Sequence, residues 1–413
     1  MRVALLSFHT SPLAALGGKD TGGMNVFVRE TARELSRRGV AVDVFTRSTG
    51  AHALRIDPRL GAHARVIHVP AGPEAPQPKH VLHQYIGAFV DWIVRFARTE
   101  SAHYNVIHAH YWLSGLAAEQ LRAQWNTPFA ITFHTLAELK NQIAEREQDR
   151  ESELRLRSEC HLCSVADRIT ANTSLEKTQL VRFYGAGSSR IRVVPPGVDL
   201  ALFHPIEQSF AKRAIGIPVD HRLLLFAGRI ERLKGIETLF RAVALLAQRR
   251  RDWDWSRINL AVIGGDPSME GVRQNEEMAR LQALREELGL HDVIAFLGAR
   301  EQEALPFYYA AAEMLIMPSH YESFGMVALE AMACGTPVIA SDVGGLSILV
   351  QHNKTGLRVR VNDPAELARA IEKLMDDEPR RRRLGQRAAC YAQGFSWQQV
   401  VEKLLAVYAE IAR

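Results

Sequence analysis

The sequence predicts an α/β chain of two doubly wound parallel-sheet domains. Three observations carry this expectation. Short apolar runs alternate with amphipathic stretches through the first half of the 413 residues, the order that builds a parallel sheet with helices on both faces. The breaker Pro195-Pro196-Gly197 interrupts the pattern, which then restarts. Finally, the apolar run Met314-Leu315-Ile316-Met317 leads through a loop into a helix opening at Gly325. Such a unit aims backbone N–H groups and a helix dipole at the space above the sheet.

In the first half the spacing predicts a strand over Val3–Phe8, a long loop from His9 to Gly23, and a helix over Met24–Arg38. That helix has Val26, Phe27 and Leu35 inward, with Arg29, Glu30, Arg33 and Glu34 outward. Gly39 ends it as a left-handed cap. Strands at Val40–Thr46 and Arg65–Val69 follow, then a helix over His80–Arg98 and a strand over Asn105–His110. A helix at Leu113–Trp125, a strand at Pro128–His134 and one long polar helix over Leu136–Val165 come next. Strand Asp167–Asn172, helix Ser174–Tyr184 and strand Ile191–Val194 close this half.

After a linker ending near Pro205, the second half reads as strand Leu223–Ala227, helix Ile236–Arg249, strand Asn259–Gly264, helix Asn275–Leu288 and strand Val293–Leu297. Helix Gln302–Ala311, the strand entering the central loop, its helix to Cys334 and strand Pro337–Ser341 complete it. The last 50 residues read as helical, broken at Gly394–Trp397. The expected domains are 1–197 and 198–396, with a helix over about 397–413 turned back onto the first.

Composition narrows the function classes. The chain is 47% hydrophobic and carries a net charge of +5, with 51 basic residues dispersed among 46 acidic ones. That suits an anionic small substrate, and leaves a weak membrane-surface contact open, but no basic run with interleaved aromatics marks a nucleic-acid groove. Four cysteines point to a reducing compartment. The opening strand in place of a charged-then-apolar leader, and the lack of any 18-residue apolar stretch, set the expectation of a cytoplasmic protein.

The chemistry concentrates in a few loops. Glu322 in the loop and Glu330 in the helix suit a sugar and a ribose diol respectively, although alone both read as solvated acids. Strand Leu223–Ala227 ends in Gly228-Arg229-Ile230-Glu231-Arg232-Leu233-Lys234-Gly235. Fixed cations at that edge stabilise a nucleoside diphosphate leaving group, and the flanking glycines allow close backbone approach. Gly22-Gly23 before the first helix offers a facing wall, but G-x-G-x-x-G is absent. His9 ends the first strand.

Three patterns read as structural. Cys160-His161-Leu162-Cys163 falls within a helix with no partner pair, as two half-buried positions. His108 and His110 share a strand face but have no third metal ligand. Trp253 and Trp255 cover a domain edge.

Taken together, Gly22-Gly23-Met24-Asn25, Pro195-Pro196-Gly197-Val198-Asp199, Arg229 with Lys234, Glu322 with Glu330, and Gly335-Thr336-Pro337-Val338 resemble the retaining family-4 glycosyltransferases. His9-Thr10-Ser11-Pro12-Leu13, His110-Tyr111-Trp112-Leu113-Ser114-Gly115 and His134-Thr135-Leu136-Ala137 resemble most the branch that glycosylates inositol 3-phosphate in mycothiol synthesis. Sucrose-phosphate synthases share the overall pattern but usually read Gly-Gly-Gln where this chain has Gly23-Met24-Asn25.

The resemblance implies the GT-B fold: two facing Rossmann-like domains with the active site in the cleft between them. It implies a UDP-sugar co-substrate, UDP-N-acetylglucosamine or UDP-glucose, and no catalytic metal or other cofactor. Arg229 and Lys234 would grip the diphosphate, Glu330 the ribose, and backbone near Leu297 the uracil. Gly23, Phe324, Gly325 and Met326 would complete the donor site. Glu322 and His134 would hold the transferred sugar. Lys79, Tyr111, Thr135 and Arg155 would hold the acceptor phosphate, with His9 and Asn25 on acceptor hydroxyls. The first domain would then bind acceptor and the second the nucleotide-sugar.

No third carboxylate stands out for a double displacement, and the resemblance implies front-face substitution assisted by the leaving phosphate. Closing of the two domains would bring acceptor to donor and exclude water. Transfer to a hexose phosphate, transfer to a lipid-linked acceptor, and nucleotide-sugar binding without turnover stand as alternatives. So does a glycoside hydrolase, which has no use for Arg229 and Lys234. A homodimer is kept as an expectation.

Overall fold

The computed structural model describes residues 1–14, 21–50, 54–265 and 276–412. Asn275 and part of the loop expected over His9–Gly23 lie outside these. Among the described residues the chain divides into two compact units: 1–14 with 23–196 and 397–412, and 21–22 with 197–396.

The first unit runs β1 (Arg2–Leu6), α1 (Gly23–Arg37), β2 (Ala41–Arg47), β3 (Ile56–Gly61), β4 (Ala64–Val69), α2 (Ile86–Thr99), β5 (Val106–His110), α3 (Trp112–Trp125), β6 (Phe129–Thr132), α4 (Ala137–Asn141), α5 (Glu153–Val165), β7 (Arg168–Ala171), α6 (Ser174–Tyr184) and β8 (Ile191–Val193). Its sheet is eight-stranded in the order β3-β4-β2-β1-β5-β6-β7-β8. All pairs are parallel except β3 with β4. β1 and β5 are buried along almost their whole length, as the central strands of a sheet covered on both faces must be.

The second unit runs α7 (Gln208–Ala214), β9 (Arg222–Ala227), α8 (Ile236–Arg249), β10 (Ile258–Ile263), α9 (Glu276–Glu287), β11 (Ile294–Gly298), α10 (Leu305–Ala311), β12 (Ala312–Met317), α11 (Met326–Ala333), β13 (Val338–Ser341), α12 (Gly344–Leu349), β14 (Gly356–Val359), α13 (Pro364–Asp376) and α14 (Glu378–Ala392). Six parallel strands lie in the order β11-β10-β9-β12-β13-β14. An apolar layer packs on each face, one around Leu239, Phe240 and Leu260, the other around Leu315, Leu329 and Met332.

Helix α15 (Trp397–Ala409) belongs to the first unit. Trp397 meets Phe27 edge-on at 5.8 Å. Glu410 takes both Arg168 and Arg192 at 2.7 and 2.8 Å.

The fold corrects several expectations. The long polar helix over Leu136–Val165 is two helices, α4 and α5, joined by a loop with a single 3-10 turn at Glu147–Asp149. Residues 141–152 carry no apolar repeat, and Ser152 caps α5 by accepting from the N–H of Arg155. The helix expected over His80–Arg98 begins as a 3-10 segment, Lys79–Tyr85. Glu30 and Glu34 are not on a solvated face: they are 7% and 4% exposed, sheathed by Arg29 and Arg33 and by Arg37 and Arg38. Cys163 is buried and Cys160 exposed, rather than both half-buried. β3, α7, α12 and β14 have no counterpart in the sequence reading.

Candidate active site

In the second unit the carboxyl edge of the sheet is a belt of interlocked loops. The loop after β9 is held when the N–H of Gly228 donates to the Ile263 carbonyl at 3.0 Å. The N–H of His320 donates to the Leu233 carbonyl at 2.8 Å, tying that loop to the one after β12. The N–H of Gly345 reaches the Glu322 carbonyl at 2.8 Å, locking the third loop to the second. Such contacts need glycine. A Cβ on Gly235, Gly264 or Gly344 would overlap the carbonyl oxygen of Pro318, Gly228 or Glu322, and all three have positive φ.

On this belt Lys234 Nζ donates to Glu322 Oε2 at 2.6 Å, both side chains being about one-sixth exposed. Arg229 Nη1 pairs with Glu231 Oε1 at 2.8 Å. Glu330, 7% exposed, accepts from the hydroxyl of buried Tyr309 at 2.8 Å. Burial and the Glu330 carboxylate push the Tyr309 hydroxyl far above its ordinary pKa, so it stays a donor.

Gly325 enters α11 with φ +102° and no side-chain cap, so the first N–H groups of α11 have no local side-chain acceptor. Met326, the first helical residue, is partly exposed. Phe324 instead turns inward at 4% exposure, 6.1 Å from the Phe395 ring. Leu297 is the extra residue of a bulge, since Val262 pairs with Phe296 and Ile263 with Gly298. A bulged residue drops out of the ladder.

In the first unit a second cluster forms around Arg155. Its guanidinium lies 4.7 Å from the centre of the Tyr111 ring. Nη2 donates to the Thr135 carbonyl and hydroxyl at 2.9 and 3.0 Å. Nε and Nη1 meet Glu159 and Glu151 at 2.7 and 2.8 Å. Burial opposes the charge, but Tyr111, Glu159 and Glu151 outweigh it and hold the guanidinium firmly ionised. The His9 and Tyr111 rings lie 4.5 Å apart. Burial, then Lys79 and Arg155, push His9 down to about 3, so it is neutral. Lys79 itself is exposed.

Gly23 is the first residue of α1. Asn25, 1% exposed, spends its amide N–H groups on the Thr10 hydroxyl and the Ser11 carbonyl at 2.8 and 2.7 Å. It shapes the loop after β1 from within. His134 has φ +62° and Tyr111 φ +77°, sparsely populated conformations for non-glycine residues that concentrate at functional sites.

Two family models tile this chain: Glycosyltransferase Family 4 over residues 21–202 and Glycosyl transferases group 1 over residues 207–390. D-inositol 3-phosphate glycosyltransferase of Corynebacterium jeikeium is 42% identical, covering 100% of this chain and 97% of its own. The protein of the same description from Acidothermus cellulolyticus is 42% identical over 99% of this chain and 90% of its own. The chain is a family-4 glycosyltransferase.

Among solved structures, sucrose-phosphate synthase from Thermosynechococcus elongatus superposes with a TM-score of 0.90 at 35% identity, covering 99% of this chain and 98% of that one. Anabaena HepE in complex with UDP-glucose gives 0.76 at 21% identity over 99% and 100%, a likeness of fold alone. The two parallel-sheet units of this glycosyltransferase are thus the Rossmann-like domains of a GT-B fold.

Within the glycosyltransferase, the structure brings Lys234 to Glu322, and Tyr111, Thr135 and Arg155 to one another. Arg229 takes Glu231, a neighbour on its own loop. His108 and His110 are engaged among themselves and their neighbours: His108 contacts the Tyr408 and Thr132 hydroxyls at 2.7 and 2.9 Å, and His110 contacts His134 at 3.0 Å. Sequence reasoning missed Tyr309, which orients Glu330, and Gly344-Gly345, which lock the Glu322 loop. The second had a signal: Gly-Gly between a strand and a helix, the same cue read at Gly22-Gly23.

Proposed function

We propose that the enzyme moves a sugar from a UDP-sugar, UDP-N-acetylglucosamine or UDP-glucose, to a hydroxyl of a small phosphorylated acceptor such as inositol 3-phosphate, with retention of configuration. The observation that carries this reading is the convergence of Tyr111, Thr135 and Arg155, beside a His9 ring that Lys79 and Arg155 both help to keep uncharged. Lys79 and Arg155 supply the two charges a phosphomonoester calls for. Of the two carboxylates on Arg155, Glu151 is 22% exposed and Glu159 fully buried. Glu151 is therefore the partner a phosphate displaces.

On the donor side, Arg229, Lys234 and the start of α11 take the diphosphate, Glu330 the ribose, the bulge at Leu297 the base, and Glu322 with His134 the transferred sugar. The bond from the anomeric carbon to the diphosphate oxygen breaks with its electron pair going to that oxygen. The acceptor oxygen bonds to the same face of the carbon, and its proton passes to the departing phosphate. Lys234 and Arg229 stabilise the charge that develops, an effect worth several kcal/mol when preorganised. The UDP-sugar is the sole co-substrate of this step.

Likeness to sucrose-phosphate synthase supports a second reading, transfer to a hexose phosphate. Release of UDP from each UDP-sugar with inositol 3-phosphate, fructose 6-phosphate or unphosphorylated inositol separates the two. The anomeric configuration of the product, read by NMR, tests retention.

A further inference from the structure

His110 ends β5 fully buried, its ring centre 4.3 Å from that of His108 and 5.2 Å from that of His134. Its Nδ1 is 3.0 Å from Nε2 of His134, while its own Nε2 has no partner among the described residues. Burial, then His108 and His134, hold its pKa far below the ordinary value, so the ring is neutral and carries one proton. On Nε2 that proton would be a buried N–H with nothing to receive it. On Nδ1 it bonds His134, and only a lone pair is left unmatched. Buried orphan N–H groups are the rarer and costlier defect.

We infer that His110 donates Nδ1–H to Nε2 of His134 and thereby fixes His134 as its Nδ1–H tautomer, so that His134 offers its ligand a hydrogen-bond donor. His110 is a positioning residue acting through His134. Nδ1 of His134 has no partner among the described residues, and its ring is steadied edge-on by Phe27 at 5.3 Å. The group this N–H suits is an uncharged oxygen with a free lone pair, such as a sugar hydroxyl. That last step rests on the sugar-binding role proposed above; the tautomer does not.

The full-length chain labelled with 15N-histidine tests it by long-range proton–nitrogen correlation at neutral pH, with the His134 signals assigned by their loss in His134→Asn. The expected pattern is a protonated Nδ1 and a bare Nε2 at His134; a protonated Nε2 overturns the inference. His110→Asn, whose amide N–H stands near the lost Nδ1–H, should keep that pattern. His110→Phe should shift it toward the Nε2–H form, and an unmoved pattern there also overturns the inference. In turnover, His110→Phe should lower kcat about tenfold, the worth of one well-placed hydrogen bond, and His110→Asn should restore most of it. Wild-type protein that turns over no UDP-sugar refutes the proposed function, while the nitrogen spectrum still decides the tautomer.

Discussion

Lys234 Nζ lies 2.6 Å from Glu322 Oε2, a cation and a carboxylate from two different loops on the edge of one sheet. The pair is partly exposed, so it contributes little to folding. Its value lies in placement. Lys234→Ala should lower kcat about a hundredfold, the cost of losing a preorganised charge at a leaving group, and leave the thermal midpoint nearly unchanged. A large fall in stability with unchanged kcat would make the pair merely structural.

Arg155 should behave differently, because the proposed acceptor ligand is also a buried counter-ion. Arg155→Ala should raise the acceptor KM and leave UDP affinity, measured by calorimetry, unchanged. It also removes the cation paired with Glu159, which is fully buried and keeps only the Ala137 N–H and the Tyr184 hydroxyl, so unfolding free energy should fall by about 3–5 kcal/mol. An unaltered acceptor KM in folded protein removes the phosphate-binding role.

The loop belt makes a steric prediction. A Cβ on Gly345 would overlap the Ser323 carbonyl and the Phe324 backbone. Gly345→Ala should therefore weaken UDP-sugar binding by displacing Glu322. Gly87, in α2 with open space around it, is the control: Gly87→Ala should be neutral or stabilising by about 0.5–1 kcal/mol.

Much of the fold was legible because its cues are local. Ile236–Arg249 and Ser174–Tyr184 were read to the residue, and in the structure Thr173 caps the second at one end while left-handed Gly185 closes the other. What failed needed tertiary knowledge. β3 contains Pro58 and is an edge strand paired antiparallel with β4, a place where proline is tolerated but the sequence signal is lost. Glu30 and Glu34 read as solvent-facing because their arginine covers cannot be counted from the sequence. Lys234 and Glu322 were legible as chemistry at strand ends, whereas the Gly344-Gly345 pair was visible but its partner, the Glu322 carbonyl, is set by the packing of two loops.

Glu176 gives a pH signature. Burial pushes its carboxyl up to about 7 despite hydrogen bonds from Asn172. A folded pKa above the unfolded value of about 4.5 means its stabilising contribution is complete below pH 4.5. That contribution is lost as pH rises through 7, about 3 kcal/mol in all. The wild-type urea midpoint should rise on acidifying from about pH 8 to 5 through this group, and Glu176→Gln should flatten that rise. An identical slope in both proteins would contradict the shift.

In the proposed reaction, positive groups of the second domain release a nucleotide as a sugar passes to a phosphorylated acceptor. The decisive experiment follows UDP release from UDP-N-acetylglucosamine or UDP-glucose, with inositol 3-phosphate against unphosphorylated inositol. Release that requires the phosphorylated acceptor and collapses in Lys234→Ala is the predicted result. Release indifferent to the acceptor's phosphate, or undiminished without the Lys234 amine, would contradict it.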